Sequence, residues 1–181
     1  MSALTYLIET LSRLYLLCFL LRIIFQLARV DFYHPFAQFI VQVTNPLVVP
    51  ARRLLPGTRH IDLPTLIVLF VLQFIFVIIL STLNGAAPAP GAWLLITIYW
   101  LMNMTVWTLI ICILIFVILS WVQPGYSPAA VFVRQIVEPI LRPARRILPP
   151  ISGVDLSPMI VMILLWAFLL LLRDVMALLS G

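Results

Sequence analysis

Two arginine pairs are the residues best placed to do chemistry. Arg52-Arg53 and Arg145-Arg146 each stand in one frame, P-x3-P-A-R-R-x-L-P-x5-D, which Asp62 closes in the first case and Asp155 in the second. A guanidinium is a permanent planar cation that holds phosphate or carboxylate through paired hydrogen bonds. Each pair follows an amphipathic stretch and precedes a long apolar run. Arginines in such a juxtamembrane position are drawn to anionic lipid by about 1 kcal/mol each. The same positive charge also keeps a connection on the cytoplasmic side. Two readings therefore stand side by side: a specific site for an anion, a lipid or a partner, and topology set by charge with Arg–Asp pairing inside each frame. The aspartates suit ion pairing or capping of the helices that follow them.

The frame is the centre of a longer repeat. Residues 33–64 align without a gap on residues 126–157, at an offset of about 93 residues. Upstream of the frame, Tyr33, Pro35, Ala37, Phe39 and Gln42 meet Tyr126, Pro128, Ala130, Phe132 and Gln135. The chain reads as two copies of one unit: 1–83, then an uncharged linker over 84–92, then 93–181.

Composition sets the class. Hydrophobic residues make up 64% of the 181 residues, against about 45–50% in an ordinary soluble domain. The mean hydropathy of +1.20 agrees. The chain is an integral membrane protein. Its net charge is +5, and all 11 basic side chains are arginine. Cys18 and Cys112 lie inside apolar runs, where they serve as small buried hydrophobes and not as a disulfide. The N-terminus runs straight into an apolar segment with no small-residue cleavage site, so no cleavable signal peptide is expected.

Four apolar segments are expected to span: roughly 4–27, 63–83, 93–121 and 156–172. The first carries Glu9, Arg13 and Arg22. Glu9 and Arg13 share a helix face as an i,i+4 pair. Arg22 is an intramembrane cation, which is costly and functional by default; the bland reading has it paired to Gln26 or snorkelling outward beside Arg29. Gln73 and Asn103 are the other intramembrane polar groups. Their segments run in opposite directions, so a hydrogen bond across helices is a packing hypothesis.

Between the spans lie the two repeated stretches. In the first, Phe36, Phe39, Ile40, Val43 and Leu47 make an apolar face and Gln38, Gln42 and Asn45 a polar one. In the second, Phe132, Val133, Ile136 and Ile140 oppose Arg134, Gln135, Glu138 and Arg142. Each is amphipathic and too polar to span, so it lies in the interface or dips into it. Pro46 and Pro50 are expected to end or kink the first, and Pro56-Gly57 to turn the chain. Arginines crowd both connections, and the middle one has no charge. The positive-inside rule then places both repeats in the cytoplasm and both termini outside. The fold class is all-α membrane protein: four transmembrane helices arranged as two parallel helix–interfacial stretch–helix repeats.

Enzyme chemistry has little footing. There is no Ser-His-Asp set, no H-E-x-x-H, no phosphate-cradling glycine loop and no paired carboxylates within one segment. His34 and His60 are the sole histidines, lack equivalents in the second copy and lie outside the spans, so they are poor haem ligands. No cofactor, no metal and no nucleic acid partner is expected.

These residues carry a family resemblance. L-L-R-I-I-F-Q (Leu20–Gln26), D-F-Y-H-P-F (Asp31–Phe36) and the doubled P-x3-P-A-R-R-x-L-P-x5-D resemble the bacterial YggT family of inner-membrane proteins, in its two-unit proteobacterial form. One departure is internal: Arg22 meets Ile115 in the second copy. The resemblance implies a bacterial inner-membrane location and a link to osmotic tolerance, with a suggested part in ion or potassium uptake. Relatives elsewhere are linked to cell division, plastid nucleoid distribution and haem attachment to a b-type cytochrome. Three functions follow as expectations. One is a scaffold that engages anionic lipid or a partner through Arg52, Arg53, Arg145 and Arg146. Another is a small channel or ion transport component, which requires a homo-oligomer and polar groups through the bilayer. The third is an assembly factor with a membrane protein partner.

Overall fold

The computed structural model describes residues 3–54, 62–85, 91–122, 127–147 and 155–180. His60, Arg59, the Pro56-Gly57 turn, Tyr126 and most of the expected linker lie outside the described residues. Six helices make up the described chain, with no strand among them: α1 (Ala3–Leu27), α2 (Pro35–Leu54), α3 (Leu63–Leu83), α4 (Ala92–Val122), α5 (Pro128–Ile147) and α6 (Ser157–Ser180). Leu, Ile, Val and Phe fill α3, α4 and α6, and these three are long and apolar enough to cross a membrane. Their lengths of 21, 31 and 24 residues exceed the roughly 20 residues a hydrocarbon core demands. The 25 residues of α1 are as long, but they include Glu9, Arg13 and Arg22.

Contacts divide the chain into two compact units. The first holds Met1–Leu27 and Phe32–Met102; the second holds Ala28–Asp31 and Asn103–Gly181. In the first, α1 packs on α2 and α3. Leu16, Phe19, Leu20 and Ile23 of α1 meet the core with Ile40 and Val48 of α2 and Leu69 and Val77 of α3 buried around them. Phe25 and Phe36 set their rings edge to face across the α1–α2 corner. Glu9 and Arg13 pair at 2.5 Å, and the Arg13 guanidinium also lies over the Trp100 ring, 4.7 Å from its centre. In the second unit α5 packs on α6, and Trp107 and Trp166 make an edge-to-face pair. Ile113, Ile136, Val137 and Leu141 are buried there.

Both repeated stretches are helices, and their prolines do not end them. Helix α2 runs through Pro46 and Pro50 to Leu54, and α5 through Pro139 and Pro143 to Ile147. A proline removes one backbone donor and crowds the carbonyl four residues back. Two prolines four apart confine both losses to one stripe of the helix. All four prolines are exposed, so the freed carbonyls face outward instead of into the core.

The apolar face read from the first repeat also divides. Ile40 is buried with Ala37, Thr44 and Val48, whereas Phe36, Phe39 and Leu47 are exposed. The inward stripe is small and partly polar. Phe39 and Leu47 form a second stripe beside it that faces outward, with Phe36 half covered by Phe25 at its start.

Candidate functional site

Each unit holds a charged cluster where its Pro/Arg helix meets the start of the next apolar helix. In the first unit the cluster begins on α1. Arg22 is 5% exposed, because its stem is packed among Leu, Ile and Phe one turn before the helix ends. Its guanidinium crosses to α2. There Nη1 donates to Thr44 Oγ1 at 2.6 Å, to Asn45 Oδ1 at 3.0 Å and to the Val41 carbonyl at 3.4 Å. Its Nε stands 3.8 Å from Asp62 Oδ2. Arg22 therefore neither snorkels toward Arg29 nor bonds Gln26. The Gln26 side chain instead accepts the Asp62 backbone N–H at 3.0 Å.

Asp62 is the hub. Its Oδ2 accepts from Arg52 Nη2 at 2.5 Å and from the Thr65 hydroxyl at 2.8 Å. It does not cap α3 through a side-chain bond to a backbone N–H. Burial by itself raises this carboxyl. Hydrogen bonds from Arg52 and Thr65, with the fields of Arg52 and Arg22, outweigh burial and hold it below the ordinary carboxylate range. The result ties α1, α2 and α3 through two cations and one carboxylate.

In the second unit the hub is an arginine. Arg145 Nη1 donates to Glu138 Oε2 at 2.6 Å. Its Nε and Nη2 both reach Asp155 Oδ2, each at 2.8 Å. Arg134 stands at the edge, 3.9 Å from Glu138. Asp155 turns its other oxygen to the start of α6, accepting the Ser157 N–H at 2.9 Å and the Ser157 hydroxyl. Burial raises the Asp155 carboxyl, but the Ser157 bonds and Arg145 together hold it below its usual range. Burial likewise lowers the Arg145 guanidinium, and the two carboxylates more than restore it. One cation and two carboxylates occupy the place that two cations and one carboxylate hold in the first unit.

The four arginines singled out by the sequence thus separate by role. Arg52 and Arg145 reach inward to Asp62 and Asp155. Arg53 and Arg146 are exposed and pair with no carboxylate among the described residues. The other intramembrane polar residues do not join either cluster. Gln73 is buried in the first unit and Asn103 belongs to the second.

Sequence reasoning did not find Thr44, Thr65 or Glu138 as members, and it assigned Gln26 to Arg22 where the structure gives it to the Asp62 backbone N–H. The signal was present in the alignment of the two copies. Asn45 aligns with Glu138, so the copy that lacks Arg22 gains a carboxylate two turns before its arginine pair. His34 also has a structural place: Nδ1 accepts the Phe36 N–H at 3.3 Å, and its carbonyl accepts Gln38 N–H as α2 begins. No group of three or more His, Cys, Asp or Glu able to hold a metal ion occurs among the described residues. Chemically, the clusters are ion networks that brace helix junctions, and they leave one member of each arginine pair facing outward.

Comparison with known proteins follows the repeat. The family profile described as CCB3/YggT matches residues 1–83 and again 95–176. The chain is 41% identical over 167 residues to a protein of Escherichia coli (strain K12) called "Uncharacterized protein YggT", covering 92% of this chain and 87% of that one. An uncharacterized protein of Pseudomonas aeruginosa is 39% identical over 192 aligned positions, covering 99% of this chain and 93% of the relative. One from Haemophilus influenzae is 30% identical over 158 residues, covering 87% and 84%. No solved structure matches the chain.

Proposed function

The chain belongs to the CCB3/YggT family, and from that premise we propose that it is a non-enzymatic membrane scaffold whose Pro/Arg helices engage anionic lipid head groups. The observation that carries this reading is the division of labour inside each arginine pair. One member is held by an aspartate, while Arg53 and Arg146 point outward with no carboxylate partner among the described residues. The inner arginine fixes the helix junction and so aims its neighbour.

Physical features of α2 support an interfacial position. Phe36, Phe39, Leu47 and Leu54 leave large apolar surface uncovered on one side. Gln38, Gln42 and Arg53 occupy the adjoining polar side. A helix of that kind lies along the headgroup boundary with its aromatic stripe in the acyl region. In this reading α1 supplies a fourth crossing, because Arg22 is enclosed by Thr44, Asn45 and Asp62 and not left to lipid. Both Pro/Arg helices then face the cytoplasm of a bacterial inner membrane and both termini face outward. The two sequence copies are the two working units, and osmotic tolerance is the process the family resemblance supports.

The test uses purified protein in vesicles of mixed anionic and zwitterionic phospholipid, reading which lipids remain bound. Wild-type protein enriches anionic lipid. Arg53→Gln and Arg146→Gln each reduce that enrichment by about fivefold, the effect of one juxtamembrane charge. Equal enrichment in the wild type and the double variant would sink the reading, and a co-purifying acidic protein would move it to a partner scaffold or assembly factor. Potassium flux above that of empty vesicles would move it to a transport component.

A further inference from the structure

A groove on the second unit lies beside its outward arginines. It has a volume of about 400 Å³ and runs between Ile140, Pro143 and Ile147 of α5 and Val161, Leu164 and Leu165 of α6. Every lining side chain is apolar. Its α6 side lies within eight residues of Ser157, which corresponds to the first ~12 Å of that helix. The groove therefore runs along the first turns of α6, beside the end of that helix held by Asp155.

Arg142 and Arg146 stand on the helix that forms one wall. They are four residues apart, so their side chains rise from the same face of α5. Both are exposed, and neither pairs with a carboxylate among the described residues. Like charges at that spacing repel unless an anion lies between them. Pro143 and Ile147, the residue after each arginine, belong to the groove wall. Cationic and apolar surfaces thus meet along one edge.

We propose that this groove holds one acyl chain of an anionic glycerophospholipid whose phosphate is bridged by Arg142 and Arg146. The inference rests on the lipid reading above and narrows it to one site in one unit. The chain of the lipid leaves other lipid tails for the groove, so burial of apolar surface supplies little net driving force. Selection comes from the head group, where the two guanidiniums distinguish a net anionic lipid from a zwitterionic one. The first copy sharpens the point. Its aligned lining is equally apolar, with Leu47, Pro50 and Leu54 facing Val68, Val71 and Leu72 in sequence register, but Val49 stands where the second copy has Arg142. One arginine remains there, so phosphate bridging belongs to the second unit.

The experiment is native mass spectrometry of the full chain in mild detergent, titrated with phosphatidylglycerol and, separately, phosphatidylcholine. The wild type binds one phosphatidylglycerol with a preference over phosphatidylcholine of about 30-fold, two juxtamembrane charges' worth. Arg142→Gln with Arg146→Gln lowers the preference to what Arg53 alone supports, about fivefold. Leu164→Trp fills the groove and reduces binding of both lipids; Arg142→Lys restores part of the preference, reporting a fold that is intact. Free glycerol phosphate does not compete. If Leu164→Trp leaves binding of both lipids unchanged and Arg142→Gln leaves the preference intact while Arg53→Gln removes it, the groove site is wrong and the broader lipid reading stands. If the wild type binds both lipids alike, both fall.

Discussion

The two units close the same sequence frame with opposite charge balance. In the first, Asp62 sits between Arg22 and Arg52. In the second, Arg145 sits between Glu138 and Asp155. The shared part is one Arg–Asp pair, Arg52 with Asp62 and Arg145 with Asp155, each a helix residue joined to the aspartate before the next helix. The third member differs because two aligned positions differ: Arg22 against Ile115, and Asn45 against Glu138. Burial differs as well. The Asp62 side chain is 9% exposed and the Asp155 side chain 29%. A repeated frame therefore fixes a joint, while its neighbours decide how deeply the joint is buried and which sign is left over. The first cluster is a closed lock around a buried cation; the second is a wetter clasp under an arginine-rich surface.

Breaking the locks should show the difference in order of size. Asp62→Asn leaves Arg22 buried without a carboxylate, and such a loss costs about 3–5 kcal/mol. Its thermal midpoint in detergent should fall far below that of Asp155→Asn, in which Arg145 keeps Glu138 and some water, at about 1–2 kcal/mol. Equal losses would erase the contrast between the units. Next comes Arg22→Ile, which writes the second copy's residue into the first. Removed together with Asp62→Asn, it should cost less than the sum of the two single changes, because the variants share one network.

Acid should separate the units in the same sense. Both aspartates titrate below their ordinary value in the folded chain. A depressed carboxyl contributes stability that is complete above the unfolded value of about 3.9 and is lost as pH falls through the folded one. The midpoint of the wild type should therefore drop below about pH 4, and Asp62→Asn should flatten more of that drop than Asp155→Asn. A pH profile unchanged by either variant would contradict the ion-pair assignment.

The smallest effect concerns where the first helix of each copy stops. Helix α1 ends at Leu27, and Arg29 adopts φ 54°, the left-handed region. The aligned Val122 is the last helical residue of α4. A β-branched side chain is poorly suited to the left-handed region. Arg29→Val should cost about 1–2 kcal/mol, while Val122→Ala should change the midpoint little. If Arg29→Val is silent, the corner before α2 is not held by that conformation.

Much of this architecture was legible in the order of residues. Unbroken runs of Leu, Ile, Val and Phe in α3, α4 and α6 announce helices for a membrane, since nothing else satisfies their backbone there. The gapless repeat announced two equivalent Pro/Arg stretches, and the spacing of Glu9 and Arg13 announced their pair. Continuation of α2 and α5 through four prolines was harder to read. Proline propensity argues locally for a break, and only the exposure of that stripe makes the lost donors tolerable.

The clusters show where sequence ends and tertiary structure begins. Sequence by itself determined that an arginine and an aspartate recur in each copy, and that Arg22 has no counterpart. It could not determine that Arg22 turns to Thr44 and Asn45 in place of Gln26 on its own helix. That choice depends on which face of α1 meets which face of α2, and the partners lie 22 and 23 residues away along the chain. Local spacing fixes what a side chain can reach within its own helix. The packing of three helices brought a closer set of acceptors to a buried cation, and a buried cation takes the partners that leave it least unsatisfied.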